Sequence, residues 1–82
     1  MLLMQENMLW TEVVEVSGYD QIVIEKYDGS HVVLKTDRSV TDLVRTDGTE
    51  YVVCYTANIK SPEKGELLWI MPSDAAETGD PD

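Results

Sequence analysis

Residues 21–36, QIVIEKYDGSHVVLKT, contain the pattern that most limits what this chain can fold into, because two β-branched runs flank an Asp-Gly pair. Asp28 and Gly29 suit the central positions of a type I′ turn. Both positions need positive φ, which Gly adopts freely and Asp tolerates. The segment is therefore predicted to form a β-hairpin with a two-residue loop.

A two-residue loop also determines which residues of the two strands face each other. It places Ile24 opposite Val33 and Val23 opposite Leu34. Neighbouring pairs point to opposite faces of a hairpin, so these pairs would put apolar side chains on both faces. This register predicts a central hairpin that is covered on both sides.

A second Asp-Gly pair, Asp47-Gly48, repeats the turn pattern between SVTDLVRT and TEYVVCYT and predicts a second hairpin. A competing interpretation makes Ser39 a helix N-cap with Asp42 at the N3 position, which resembles a capping box. One or two helical turns ending near Arg45 would then replace the strand before the turn.

Other segments complete the expected order of elements. Residues 11–16, TEVVEV, and residues 66–71, ELLWIM, have the composition and length of strands. The segment 57–65 contains Pro and Gly and is predicted to be a loop. The opening residues 1–10 fit either a short helix or an additional edge strand.

These elements predict a mainly β fold: a five- to six-stranded antiparallel meander, as a strongly curved sheet or small barrel, with room for one short helix. Eighty-two residues support one domain, expected at residues 1–72. Residues 73–82 hold four acids and no large apolar side chain, which predicts a disordered acidic tail. Apolar residues on both faces of the hairpins would be covered by barrel closure, by a helix or by homodimerisation.

Charge limits the range of partners. Sixteen acidic residues against six basic ones give a formal net charge of −10. This charge repels phosphates, which argues against direct binding of nucleic acid and against adhesion to an anionic membrane. The single cysteine cannot form an internal disulfide, and no apolar run approaches the roughly 20 residues that span a bilayer. The expected location is the cytoplasm, or the host cytoplasm if the protein is viral.

Groups that carry catalysis are scarce. His31 is the only histidine, and Cys54 lies within an apolar strand pattern where a thiol usually packs as a small hydrophobe. The chain has no Cys/His pair at zinc spacing, no Gly-rich phosphate loop and no nucleophile elbow. The five-residue interval between Asp37, Asp42 and Asp47 does not match the spacing of ligands in a calcium-binding loop. The sequence therefore predicts no enzyme, cofactor or metal, and a carboxylate pair is the remaining catalytic alternative.

The acids suggest a function through their spacing, because alternate carboxylates on a strand lie roughly 6.6 Å apart, near the spacing of successive phosphates. The chain is expected to be a non-enzymatic inhibitor that occupies the basic nucleic-acid-binding groove of a larger enzyme or defence complex, as anti-CRISPR proteins and glycosylase inhibitors do. The alternatives are that the acids only keep the protein soluble, or that the chain is a small barrel subunit of an assembly with apolar contacts. The expected partner-binding residues are Glu12, Glu15, Glu25, Asp28, Asp42 and Asp47, with Tyr19, Tyr27 and Trp69 as aromatic anchors.

The segment YTANIKSPEKGELLWIMPSDAAE resembles a strand–loop–strand portion of the phage uracil-DNA glycosylase inhibitors in its TA, LL and SDA residues and in Glu77. It covers about a quarter of the chain. That family has two helices near its start and two further strands after this portion, whereas here β-rich sequence precedes it and acidic residues follow. The resemblance therefore assigns no family and implies only that a small acidic β-rich protein can occupy a DNA-binding groove.

Overall fold

A computed structural model describes residues 4–74, which form five strands and one helical turn. In chain order these are β1 (Met4–Ser17), β2 (Gln21–Glu25), β3 (His31–Lys35), α1 (Arg38–Thr41), β4 (Glu50–Asn58) and β5 (Ser61–Pro72). The strands close into a barrel in the order β1-β2-β3-β5-β4. The predicted mainly β fold and small barrel are confirmed.

Closure depends on β1, which is long enough to serve two neighbours. Its first part pairs with β4 from Met4 to Glu12, and its last part pairs with β2 from Val13 onward. The register of β1 against β2 shifts between Val13 and Glu15, which leaves Val14 as an extra residue. A bulge of this kind bends a strand and increases its twist, so β1 can turn from one side of the barrel to the other.

The strand order differs from the expected sequential meander. The connection through α1 carries the chain across the barrel, so β4 pairs with β1 rather than with β3. The cyclic order therefore contains 4-1-2-3, a Greek key. β5 closes the gap by pairing antiparallel with β4 and parallel with β3. A five-stranded Greek-key barrel is the architecture of the OB-fold.

The central hairpin exists, but its predicted turn and register are wrong by one residue. Glu25 faces His31, and the backbone of Lys26 donates to Ser30 at 2.7 Å, so the loop has three residues. Gly29 adopts φ +87° and donates to Lys26 at 2.9 Å, which fits a turn followed by a left-handed residue. The observed pairs are Ile22 with Leu34, Val23 with Val33 and Ile24 with Val32. The shift gathers the largest apolar side chains on the inner face.

The second predicted hairpin is wrong, and the competing helix is closer to the structure. Residues 39–46 form no strand; α1 covers the start of this segment. Its N-cap is Asp37 rather than Ser39, because the Asp37 carboxylate accepts from the backbone of Val40. Asp47 closes a local turn instead, and its carboxylate accepts from the backbone of Thr49 at 3.1 Å.

The loop expected at residues 57–65 is also wrong. Strand β4 continues to Asn58, which pairs with Ser61, so the connection is a two-residue turn. Of the opening residues, 4–10 belong to strand β1, and 1–3 lie outside the described part of the chain. Ser73, the first residue of the expected tail, is buried, and the tail residues 75–82 lie outside the described residues.

The core fills the barrel with inward-facing side chains from all five strands. Its fully buried members come mainly from the central hairpin and β4: Ile22, Ile24, Val32, Leu34 and Val53, with Val13 from β1. β4 contributes alternate residues to the core, while Val52 and Cys54 are buried but lie outside the core cluster. β4 is therefore covered on both faces, the property that the sequence had predicted for the central hairpin.

Candidate interaction surface

Apolar side chains cover the outer face of β1, β4 and β5. The residues of β4 that belong to the core alternate with Val52 and Cys54, so these two face away from it. Strand pairing places each of them between two large neighbours. We call the resulting two rows the apolar strip: Met8, Cys54 and Trp69 in one row, and Trp10, Val52 and Met71 in the next.

Exposure within the apolar strip differs between its centre and its sides. The central residues Val52 and Cys54 are only 2% and 4% exposed, because the flanking side chains lie over them. Those flanking side chains remain open to solvent: Met8 is 56% exposed and Trp10 and Trp69 are each 40% exposed. The strip is therefore a packed apolar layer whose outer side has no partner among the described residues.

Acidic residues border the apolar strip on two sides. Next to the row of Met8, Cys54 and Trp69, Thr56 of β4 pairs with Glu6 of β1 on one side and with Glu66 of β5 on the other. Beyond the other row, Glu12 pairs with Glu50. We call these the acidic rows. Like charges directly opposite each other destabilise a sheet, so the Glu12–Glu50 pair opposes folding and is not explained by stability.

Cys54 is inert in this setting. Its Sγ lies 3.4 Å from Oε2 of Glu6, to which it donates a hydrogen bond. Burial, together with the carboxylate of Glu6, raises the pKa of the Cys54 thiol. A raised pKa keeps the reactive thiolate scarce, so Cys54 acts as part of the apolar layer.

A shallow depression adjoins the apolar strip at Trp10. We call it the acidic–aromatic depression; its volume is about 350 Å³, and its main lining residues are Trp10, Glu12, Glu25, Lys26, Tyr27 and Glu50. The backbone N–H of Trp10 donates to the Tyr27 hydroxyl at 3.0 Å, which holds the β2–β3 loop against β1. Thr11 Oγ1 also donates to the carbonyl of Glu25. Three glutamates and two aromatic residues therefore line one depression.

The predicted partner-binding residues fall into several places. Glu12, Glu25 and Tyr27 meet in the acidic–aromatic depression, Asp28 follows in the same loop, and Trp69 lies on the apolar strip. Tyr19 and Asp42 lie apart with Arg38, whose guanidinium is 4.7 Å from the Tyr19 ring and 3.6 Å from the Asp42 carboxylate. Glu15 lies past the β1 bulge opposite Val23, and Asp47 lies in its own turn.

Sequence reasoning missed the residues that connect these features: Met8, Trp10, Glu50 and Met71. One pattern could have indicated them, since Glu6, Met8, Trp10 and Glu12 alternate along β1 and so share a face. Their significance depends on β4 and β5 lying beside β1, which the pattern alone does not show.

A cavity with a volume of about 510 Å³ lies between the α1 segment and β5. Its walls are mostly apolar, from Val40, Leu43, Val44, Ile70 and Pro72, and Met71 connects it to the apolar strip. The hydroxyl groups of its lining residues are engaged locally: Ser39 donates to the Asp37 carboxylate and Thr49 to the Asp47 carboxylate, while the Tyr51 hydroxyl accepts from the backbone of Arg45 at 2.9 Å. The cavity therefore extends the apolar surface of the strip.

Turn carboxylates have lowered pKa values. Hydrogen bonds from the Ser30 hydroxyl and backbone lower the pKa of Asp28 from its usual 3.8, and Thr49 does the same for Asp47. The hydroxyl of Ser39, followed by the backbone of Val40, lowers the pKa of Asp37. A carboxyl group with a lowered pKa in the folded state stabilises the fold above its unfolded pKa, and that contribution is lost as pH falls through the folded value.

We therefore expect the thermal midpoint to fall as pH drops below about 4, and to fall less steeply in the double variant Asp28→Asn/Asp47→Asn. Thermal unfolding followed by circular dichroism between about pH 2 and pH 6 measures this. Asp20→Asn, which changes the charge in a different turn, is the control. Equal acid slopes for the double variant and the parent would contradict the assignment.

Within residues 4–74, no three His, Cys, Asp or Glu side chains are placed to hold a metal ion, and no helix is long and apolar enough to cross a membrane. His31 is exposed opposite Glu25. Comparison of the chain with protein-family models, curated proteins and solved structures found no match.

Proposed function

We propose that this chain is a non-enzymatic, acidic interaction protein that inhibits a larger nucleic-acid-handling enzyme or defence complex by binding its basic groove. The observation that carries the proposal is the meeting of Glu12, Glu25 and Glu50 beside Trp10 and Tyr27 in the acidic–aromatic depression. The proposal places the protein in the cytoplasm, consistent with a free cysteine and a fold that needs no disulfide.

The chemistry of the depression suits lysine and arginine side chains. A guanidinium group binds a carboxylate through two parallel hydrogen bonds and stacks on an aromatic face. Trp10 and Tyr27 offer such faces, and the carboxylates around them outnumber the one cation, Lys26. A net charge of −10 would also speed the approach to a positive groove.

Direct binding of nucleic acid fits poorly, although OB-fold proteins commonly bind it through the β2–β3 face. That outer face presents Val23 and Val33, flanked by the pairs Gln21–Lys35 and Glu25–His31. Single-strand binding needs stacking rings and a positive groove, whereas this face has no Trp, Tyr or Phe and carries mixed charge. The charge of the whole chain opposes phosphates further.

The test uses the partner that the tagged protein captures from its source cells, purified and then measured by surface plasmon resonance. We expect Glu12→Gln/Glu25→Gln to slow association about tenfold at low salt and to flatten its salt dependence. Asp20→Asn/Asp42→Asn makes the same change in net charge at residues that lie apart from the depression, and it should act weakly. Excess DNA or RNA should compete for the partner.

The proposal fails if both double variants associate at the parent's rate at low salt and nucleic acid displaces nothing. The second candidate, a small barrel subunit of a larger assembly, is favoured by the exposed side chains of the apolar strip. In that case binding would change little with salt, and the captured partners would be structural subunits.

A further inference from the structure

We propose that the apolar strip and the acidic rows form one docking surface, and that its partner is a protein surface with an apolar centre flanked by lysine and arginine. This inference rests on the proposed function and deepens it. The electrostatic proposal concerns how the partner approaches, whereas the apolar strip concerns what holds the complex together.

The layout of side chains matches the layout of specific interfaces. Two rows of three residues lie about 7 Å apart along the strands, and the strands lie about 4.8 Å apart. Trp and Met occupy the positions that remain exposed, and both residue types are enriched at protein interfaces. Their exposed area is on the order of several hundred Å², which is the size of the largest apolar patch on a typical monomer, and such a patch is often functional.

Charge decides what can cover this surface. The acidic rows contribute Glu6 and Glu66 on one side and Glu12 and Glu50 on the other. An apolar partner without cations would leave these carboxylates facing dry surface, at a cost in desolvation. A partner with lysine or arginine around an apolar centre would pair with them and cover Met8 and Trp69 at the same time.

A second copy of this chain fits less well. In a two-fold interface the same patch faces itself, so acidic rows of one copy would face acidic rows of the other along both borders of the strip. The net charge of −10 adds long-range repulsion between copies. Lys35 pairs with Glu66 across β3 and β5, Lys64 lies two residues before Glu66 in β5, and Lys26 lines the acidic–aromatic depression. The four glutamates of the acidic rows outnumber these three cations, so each copy would bring excess negative charge to the interface.

The two parts of the surface should act on different rate constants. Exposed charges at the border of an interface mainly change association and its salt dependence. Large apolar side chains at the centre are the usual hot spots, and their removal mainly speeds dissociation. Replacing the strip should therefore weaken binding without removing its dependence on salt.

The test uses labelled peptides of defined chemistry and fluorescence anisotropy. An amphipathic Leu/Lys helical peptide offers apolar and basic groups, oligolysine offers only charge, and a Leu/Ser helical peptide offers only an apolar face. We expect the Leu/Lys peptide to bind the parent at least about tenfold more tightly than either of the others. Its binding should weaken about tenfold or more in Met8→Ala/Trp69→Ala.

Ile59→Ala is the control, because it removes an exposed apolar side chain in the β4–β5 turn, outside the strip and the adjoining cavity, and should bind as the parent does. Thermal unfolding verifies that each variant is folded. If Met8→Ala/Trp69→Ala unfolds, Met8→Gln and Trp69→Gln are tested singly for the same loss. Glu6→Gln/Glu66→Gln should reduce the salt dependence of peptide binding.

The outcomes separate the two proposals. If oligolysine binds as tightly as the Leu/Lys peptide and the strip variants bind like the parent, the strip inference is overturned while the electrostatic function stands. If the Leu/Ser peptide binds as tightly as the Leu/Lys peptide and the Glu variants change nothing, the inferred requirement for lysine and arginine on the partner is overturned, and with it the electrostatic function. A concentration-dependent dimer in analytical ultracentrifugation that Trp69→Ala abolishes would overturn the inference in favour of self-association.

Discussion

Replacing Gly65 with Ala is expected to lower the free energy of unfolding by about 3 kcal/mol. Gly65 lies between Leu34 of β3 and Ala57 of β4, where β5 closes the barrel. A Cβ atom at this position would lie 2.1 Å from the carbonyl oxygen of Thr56. Because that atom belongs to the backbone, no side-chain rotation relieves the clash, and β4 and β5 must separate.

Circular dichroism melts measure this effect, and for a domain of this size the thermal midpoint should fall by about 10 to 20 °C. Gly29→Ala is the matched control. Gly29 has φ +87° but open space around its Cβ position, so Ala there brings backbone strain of about 1 kcal/mol without a clash. A loss for Gly65→Ala no larger than that for Gly29→Ala would contradict the close contact between β4 and β5.

Replacing Leu34 with Ala is the second large change, with an expected loss of about 3 kcal/mol. Leu34 is fully buried, with a relative exposure of 0%, and faces Ile22 across the central hairpin. Removing its side chain loses apolar burial and leaves a cavity that a closed barrel cannot easily collapse. Urea unfolding at equilibrium gives the difference directly.

Leu43→Ala makes the same chemical change at a side chain that is 76% exposed and should alter stability by less than about 0.5 kcal/mol.

Comparing Leu34→Ala with Val33→Ala tests the register of the central hairpin. Under the two-residue loop Leu34 would face Val23, and both would lie on the face opposite to Ile24. Equal destabilisation by Val33→Ala and Leu34→Ala would favour that register over the observed one, in which Val33 is only half-buried on the outer face.

The apolar strip explains why β4 reads as an almost continuous apolar segment. An antiparallel strand with one face in water normally alternates apolar and polar residues. In β4 the inward residues pack in the barrel, while Val52 and Cys54 are covered by Met8, Trp10 and Trp69. These covering side chains remain partly exposed, so the strand bears a second apolar layer that one more protein surface would complete.

Local sequence determined where most of the strands lie, because β-branched runs and turn residues act over a few neighbours. It predicted the central hairpin and the strand segments within β1, β4 and β5. The predicted register of the hairpin was wrong by one residue, because an Asp-Gly pair suits both a two-residue loop and a three-residue loop with Gly29 in the left-handed region. The preference for placing Ile22, Ile24 and Leu34 together inside the barrel selected the second.

The charge of the chain, the scarcity of catalytic groups and the acids at the surface were readable from composition. Which acids meet was not, because Glu12, Glu25 and Glu50 come from three strands. Only the tertiary structure placed β4 beside β1, and so set Glu50 opposite Glu12 and Trp10 across from Val52. Sequence patterns report the period of a strand, whereas the identity of its neighbours depends on the long-range pairing that closes the barrel.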